Sequence, residues 1–258
     1  MKALALHRWN VTIPEARAIQ IALRERVERS DRFGRIRYVA GADLALEQSA
    51  PITWKRGLHA SSGRAIAGVV LYRFPELEEI ERVSAVRPLR FPYVPGLLSF
   101  REAPALLAAF ARLRRRPDLI FIDGHGTAHP RRFGIASHLG VLLNRPTIGV
   151  AKSLLIGTHD EPDARAGSWT PLLGVNAAKQ NEIIGAVLRT ADSVRPVFVS
   201  QGHRISLESA IRFVMAVSDG YRIPRPTRDA DHFVAEIKRV GEIKHTRASR
   251  AVRRTVAK

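Results

Sequence analysis

The sequence predicts an α/β protein with a mixed sheet and helices on both of its faces. Three observations lead there. Runs rich in Val, Ile, Tyr and Leu follow one another in the first third, as in "IRYVAGADLAL" (36–46) and "AIAGVVLYRF" (65–74), and later alternate with helical stretches. "DLIFID" (118–123) is a short, continuous apolar run of the kind that suits a central strand buried on both faces. Residues 14–29 set Ala16, Ile19 or Ile21, Leu23 and Val27 on one helical stripe, so this helix has a single face to bury.

The other elements follow in order. A stiff loop, "FPYVPGLLSF", precedes "REAPALLAAFARLRR" (101–115), which has helical composition and stops before Pro117. After "DLIFID" come a helix in "GIASHLGVLLN" (134–144), a strand in "PTIGVAK" (146–152), and strands in "EIIGAVLRT" (182–190) and "PVFVS" (196–200). "SLESAIRFVMAVSD" (206–219) reads as a helix capped by Ser206, and a last helix spans Thr227 to Val240. No internal repeat or Gly/Ser/Pro linker divides the 258 residues, which read as one domain over 1–240 followed by a basic, flexible extension over 241–258.

Composition narrows the partner. With 45% hydrophobic residues the chain is too apolar to be disordered, while 42 Lys plus Arg against 24 Asp plus Glu leave a net charge of +18. An excess of that size favours a polyanion, nucleic acid first and an anionic membrane surface second. The extension supplies part of it, but "ARLRRRP" and "HPRRF" place basic clusters inside the domain as well. Cysteine is absent, which rules out disulfides and thiolate metal sites and fits a cytoplasmic location. The apolar run in "MKALALHRWN" is too short for a signal peptide, and no stretch approaches the roughly 18 apolar residues of a membrane span.

Carboxylates stand in unusual places. Asp43 interrupts an apolar strand, and Asp123 closes another just before "GHG". A buried ionised carboxylate needs a cation, a hydrogen-bond network or a proton; an arginine ion pair or a turn satisfies that need as well as a metal does. Asp123 stands at the carboxyl end of its strand, where functional groups of α/β sheets gather. Gly124 and Gly126 let backbone come close to a neighbour, or simply make a turn. Glu102 is three residues after Ser99, the spacing of a capping box. His125 and His129, four apart, have the spacing of a zinc pair, against which stand the following proline and the absence of thiolates. His125 and His203 otherwise read as buried, hydrogen-bonded histidines.

"PYVPGLLSFRE", "DGHGTAHPRRFGIASHLG" and "PTIGVAKS", in this order and at these separations, resemble the endonuclease V family, which incises nucleic acid near deaminated adenine. The resemblance runs from about Trp9 to Ala235 and includes "GADLAL", "VSQGHRISLESAI" and "YRIPRPTRDAD". It implies a ribonuclease-H-like fold with a mixed five-stranded sheet flanked by helices. It also implies a divalent-metal site of Asp43, Glu102 and Asp123, with Asp231, or its neighbour His232, as a fourth ligand. Mg²⁺, with Mn²⁺ as substitute, suits such oxygen donors. Lys152 matches a lysine beside the scissile phosphate.

By the same resemblance Tyr93, stiffened by Pro92 and Pro95, is the tip of a wedge that enters the duplex where the altered base leaves. The base is expected in a pocket near Gly96, Leu97, Gly124 and Gly126, with His129, Arg131 and Arg132 on phosphates. The implied activity is hydrolysis of DNA 3′ to deoxyinosine, leaving 3′-hydroxyl and 5′-phosphate ends, in DNA repair. Inosine-containing RNA as the substrate, and an inosine-binding protein without catalysis, are the alternatives. The chain is expected to act as a monomer, away from membranes.

Overall fold

The computed structural model describes the chain except residues 49–52, 56–57, 61–62, 177 and 257–258; for 48, 53–55, 58–60 and 241–256 it describes the backbone. In order, the elements are α1 (Ile13–Arg24), β1 (Tyr38–Gln48), β2 (Thr53–Lys55), β3 (Leu58–Ala60), β4 (Gly63–Arg73), β5 (Glu78–Pro88), α2 (Leu98–Phe110), β6 (Leu119–Asp123), α3 (Ile135–Leu143), β7 (Thr147–Ala151), β8 (Trp169–Val175), β9 (Asn181–Leu188), β10 (Val197–His203), α4 (Leu207–Ala216) and α5 (Arg225–Val256).

Eight strands form one sheet in the order β5-β4-β1-β6-β7-β10-β9-β8, while β2 and β3 make a separate hairpin. The first five of that order, β5-β4-β1-β6-β7, are the expected mixed five-stranded sheet, and three further strands extend it. β1 pairs with β4 antiparallel and with β6 parallel; β6 and β7 are parallel, and every other pairing in the large sheet is antiparallel. The meander, then, comes first, and the parallel centre follows from the helical crossovers α2 and α3.

Alternation along the central strands splits the core in two. Ala40 and Ala42 of β1 and Ile120 and Ile122 of β6 pack with α2 and α3 on one face. Val39, Leu119 and Phe121 point the other way, into a cluster with Phe213 and Val214 of α4 and Ala230 of α5. By the same period of two, Asp43 and Asp123 fall on the α5 face, Asp43 midway along β1 and Asp123 at the carboxyl end of β6.

Glycine decides how α5 sits there. A Cβ on Gly41 of β1 would lie 1.9 Å from the Pro226 carbonyl oxygen, and one on Gly68 of β4 would lie 2.6 Å from Val234. These two positions form a side-chain-free track under the helix. Expected and observed boundaries differ at several helices: α1 ends at Arg24, α2 spans Leu98–Phe110, α4 ends at Ala216, and α5 runs past Val240 to Val256. Among the described residues no helix is long and apolar enough to cross a membrane.

Candidate active site

The site begins with two adjacent strands. β1 and β6 pair in parallel with Ala42 opposite Ile122, so the next residues, Asp43 and Asp123, stand side by side on one face. Glu102 comes from α2, which belongs to the opposite layer, and Asp231 from α5. Asp43, Glu102 and Asp123 line a common cavity of about 420 Å³, together with Tyr93, Gly96 and Lys152. That volume is within the range of small-ligand pockets.

The acids act on one another's charge. Burial pushes the Asp43 carboxyl well above the usual carboxylate range, and the neighbouring Asp123 charge and a hydrogen bond shared with Asp231 add to it. Burial also raises Glu102 to about 8, again with the Asp123 charge contributing. Lys152 Nζ lies 2.7 Å from Asp123 Oδ2 and 3.7 Å from Asp231 Oδ1. Burial opposes the Lys152 charge, but its bond to Asp123 and the charges of Asp123, Asp43 and Asp231 together raise its pKa. One ammonium thus faces three acids, while Glu102 has the Arg101 charge near it, and the four acids outnumber the two cations, a local deficit of positive charge.

A hard divalent ion fits that deficit. Among the described residues no three His, Asp or Glu side chains already close around a common point. Mg²⁺ does not need such a cage, because it keeps several waters and takes only one or two carboxylates. Asp43, Glu102 and Asp123 provide oxygen donors only, without the histidine and thiolate groups that zinc favours. The zinc alternative also loses His129, whose ring nitrogens are both engaged: Nε2 lies 2.9 Å from the Gly96 carbonyl oxygen, and Nδ1 accepts the Arg131 N–H at 3.2 Å.

The capping-box alternative for Glu102 does not hold. Leu97, not Ser99, is the N-cap of α2, and Ser99 Oγ instead lies 3.0 Å from Nδ1 of the fully buried His138. Glu102 is free of the helix start and faces the cavity. Of the two candidates on α5, Asp231 is the one hydrogen-bonded to Asp43, while His232 is exposed.

Tyr93 is 61% exposed on its loop beside the cavity, whereas Phe91 and Pro92 are buried beneath it. The loop is held at one atom. The Gly96 carbonyl accepts from Arg131 Nη2 at 2.6 Å, His129 Nε2 at 2.9 Å and Gln20 Nε2 at 3.1 Å. Arg131 Nε also donates to Gln20 Oε1, and Arg132 is tied to Glu182 and to the His129 and Val175 carbonyls. His129, Arg131 and Arg132, expected on phosphates, direct these hydrogen bonds to the protein itself. Burial, helped by the Arg131 charge, lowers the His129 pKa to about 3, so it is neutral and donates from Nε2.

The expected pocket residues divide. Gly96 and Gly124 line the cavity, and so does Pro95. Leu97 is fully buried in a cluster with Ala16, Phe91 and Phe100, and Leu98 takes the place on the wall. Gly126 stands behind the wall: its N–H donates to Ser200 Oγ at 2.9 Å, and a Cβ there would lie 2.0 Å from the Gln201 carbonyl oxygen. The close approach that "GHG" announces is therefore to β10.

Gln20 went unnoticed in the sequence, although a signal exists. It shares the buried stripe of α1 with Ala16 and Leu23, and a polar residue on an apolar stripe requires hydrogen-bond partners.

Two acids side by side on adjacent parallel strands, joined by acids from two helices, in a ribonuclease-H-like sheet and a strongly basic chain, are the marks of a nuclease. The family model for endonuclease V matches residues 21–232. Endonuclease V of Roseiflexus sp. (strain RS-1) is 52% identical over 223 residues, 86% of this chain and 92% of the relative. The crystal structure of endonuclease V from Streptomyces avermitilis superposes with a TM-score of 0.80 at 40% identity, covering 91% of this chain and 96% of that one. Endonuclease V of Ciona intestinalis, solved in complex with a 24mer DNA containing an inosine followed by a ribo-adenosine, gives a TM-score of 0.71 at 28% identity, covering 88% and 98%. The chain belongs to the endonuclease V family and is an endonuclease.

Proposed function

We propose that the chain recognises deoxyinosine in DNA and, with Mg²⁺ or Mn²⁺ bound, hydrolyses a phosphodiester bond 3′ to it, leaving 3′-hydroxyl and 5′-phosphate ends. The observation that carries this is the convergence of Asp43, Glu102 and Asp123 in the one cavity that Tyr93 also lines. The inosine-bearing DNA held by the Ciona relative supports the choice of lesion.

Asp43, Glu102 and Asp123 would hold the ion, with Asp231 beside them. When bound, a divalent ion supplies positive charge at the phosphate and makes water nucleophilic at neutral pH. Lys152 neutralises phosphate charge from the same side. Tyr93 fills the stack that the displaced base leaves, and the apolar wall at Leu98 with the backbone of Gly96 and Gly124 receives that base. The basic residues after 240 add sequence-independent affinity, and the protein acts as a cytoplasmic monomer in repair of deaminated purines.

The ribo-adenosine beside the inosine in the Ciona complex keeps RNA as a second reading. Single-turnover cleavage of matched strands bearing inosine or adenosine, as DNA and as RNA, distinguishes the two. Inosine-dependent nicking of DNA that disappears in Asp43→Ala and Asp123→Ala, both folded by circular dichroism, is the expected result. Faster cutting of the RNA strand moves the assignment to RNA, and binding without nicks in either metal leaves only a binding protein.

A further inference from the structure

A second basic surface lies well away from the acids. α2 ends at Phe110, and the turn that leads from it to β6 carries Arg112, Arg114, Arg115 and Arg116, all exposed. These four, with Glu81 and Arg82 of β5, line an open groove between the turn and the edge of the sheet. Glu102 stands near the opposite end of α2, and the eight helical steps from it to Phe110, at 1.5 Å each, put about 12 Å between it and the start of the turn. The groove is thus separate from the cavity, at the end of β6 remote from Asp123.

Its charges are arranged, not merely numerous. Arg115 lies over the Tyr38 ring at 4.6 Å and donates to the Tyr38 hydroxyl at 2.9 Å, and Arg112 donates to the Ser84 carbonyl. The one carboxylate in the lining, Glu81, accepts the backbone N–H of Arg114 at 3.2 Å through both oxygens. Arg82 is held in a bidentate pair with Glu79. Among the described residues no carboxylate pairs with the guanidinium groups of Arg112, Arg114, Arg115 or Arg116. Two of the four are pre-oriented, two are unengaged, and all carry the planar fork that matches phosphate oxygens.

We infer that this groove binds the phosphate backbone of nucleic acid outside the segment held at the cavity, and so anchors the enzyme to DNA without reading its sequence. Phosphate is the favoured occupant because an acidic protein partner would also present apolar groups, for which this lining offers little beyond Ile80 and Val83. The inference rests on nucleic acid being the substrate.

Arg114→Gln/Arg116→Gln tests it, since neither side chain has a partner among the described residues. Binding to a lesion-free duplex of about 30 base pairs, roughly 100 Å long at 3.4 Å per step, is followed by fluorescence anisotropy across a salt series. The slope of log K against log [salt] should become shallower by about 1.8, two contacts at 0.9 each, while single-turnover cleavage at saturating enzyme keeps its rate. Arg165→Gln/Arg195→Gln, which removes the same charge from exposed positions elsewhere, should leave the slope unchanged. Equal slopes in wild type and the groove variant overturn the inference, as does an equal change in the control variant. Loss of binding to polyglutamate with an unchanged DNA slope would reassign the groove to an acidic protein. If the wild type binds no duplex at all, it is the nucleic-acid reading that fails, not the groove alone.

Discussion

A carbonyl oxygen has two lone pairs, yet that of Gly96 faces three donors, one of them a guanidinium. Gln20, His129 and Arg131 thereby hold the backbone three residues beyond Tyr93 in one place, with Gly96 itself at φ +76°, where a side chain would be strained. An aromatic ring fixed from below can enter a base stack without first being ordered, which lowers the entropic cost of binding. Base–aromatic stacking is worth about 1–3 kcal/mol, so Tyr93→Ala should lower the preference for inosine over adenosine strands by roughly 5–150-fold. Tyr93→Phe should retain it. Competition binding in a metal-free buffer measures the ratio, and an unchanged preference in the alanine variant removes the wedge.

At the scale of elements, strands buried on both faces were legible because nothing but apolar residues suits them; β4, β6 and β7 emerge from their Val, Ile and Leu content. β5 and β8 did not emerge, and both are edges of the sheet. Edge strands carry charges and proline to discourage further pairing, and "EEIERVSAVRP" and Pro171 in β8 have that character, which reads as loop. The acids of the site were legible as polar residues in apolar strands, and the family resemblance added Glu102, Lys152 and Asp231. The Gly96 clamp was not, because Gln20 and Arg131 meet only after α1 and the β6–α3 loop have packed together. Gly41 explains itself only in three dimensions too. Gly41→Ala would drive a methyl group into the Pro226 backbone and lift the start of α5, for which about 1–3 kcal/mol of lost stability is expected. Chemical denaturation measures that loss, and the hydrogen bond between Asp231 and Asp43 should weaken with it, lowering cleavage more than the stability change alone predicts.

For the whole molecule, the buried titratable groups set opposing pH dependences. Burial lowers His125 and His203 to about 4 and His129 to about 3, and it holds His138 far below its ordinary value. The unfolded chain binds more protons at these histidines between about 4 and 6.5, so their contribution to stability is lost as pH falls through that window. Asp43 and Glu102 act the other way. Their folded pKa values are raised, to about 8 for Glu102, so the folded chain holds protons that the unfolded chain releases above about 4, and stability falls as pH rises toward 8. The metal-free protein should be most stable between about pH 6 and 7. A bound divalent ion stabilises the ionised acids, so the decline above pH 7 should disappear with Mg²⁺. Thermal unfolding from pH 5 to 9, in chelator and in Mg²⁺, measures both limbs; a flat alkaline limb in chelator would contradict the buried acids.

α5 has a consequence for the order in which a working molecule is made. It is synthesised long after β1, yet it covers β1 and brings Asp231 to Asp43. A nascent chain still lacking this helix exposes the apolar underside of its central strands and has an incomplete acid constellation, so a stalled or prematurely terminated product is both a client for chaperones and a blunt enzyme. Both conditions persist until this helix has been made.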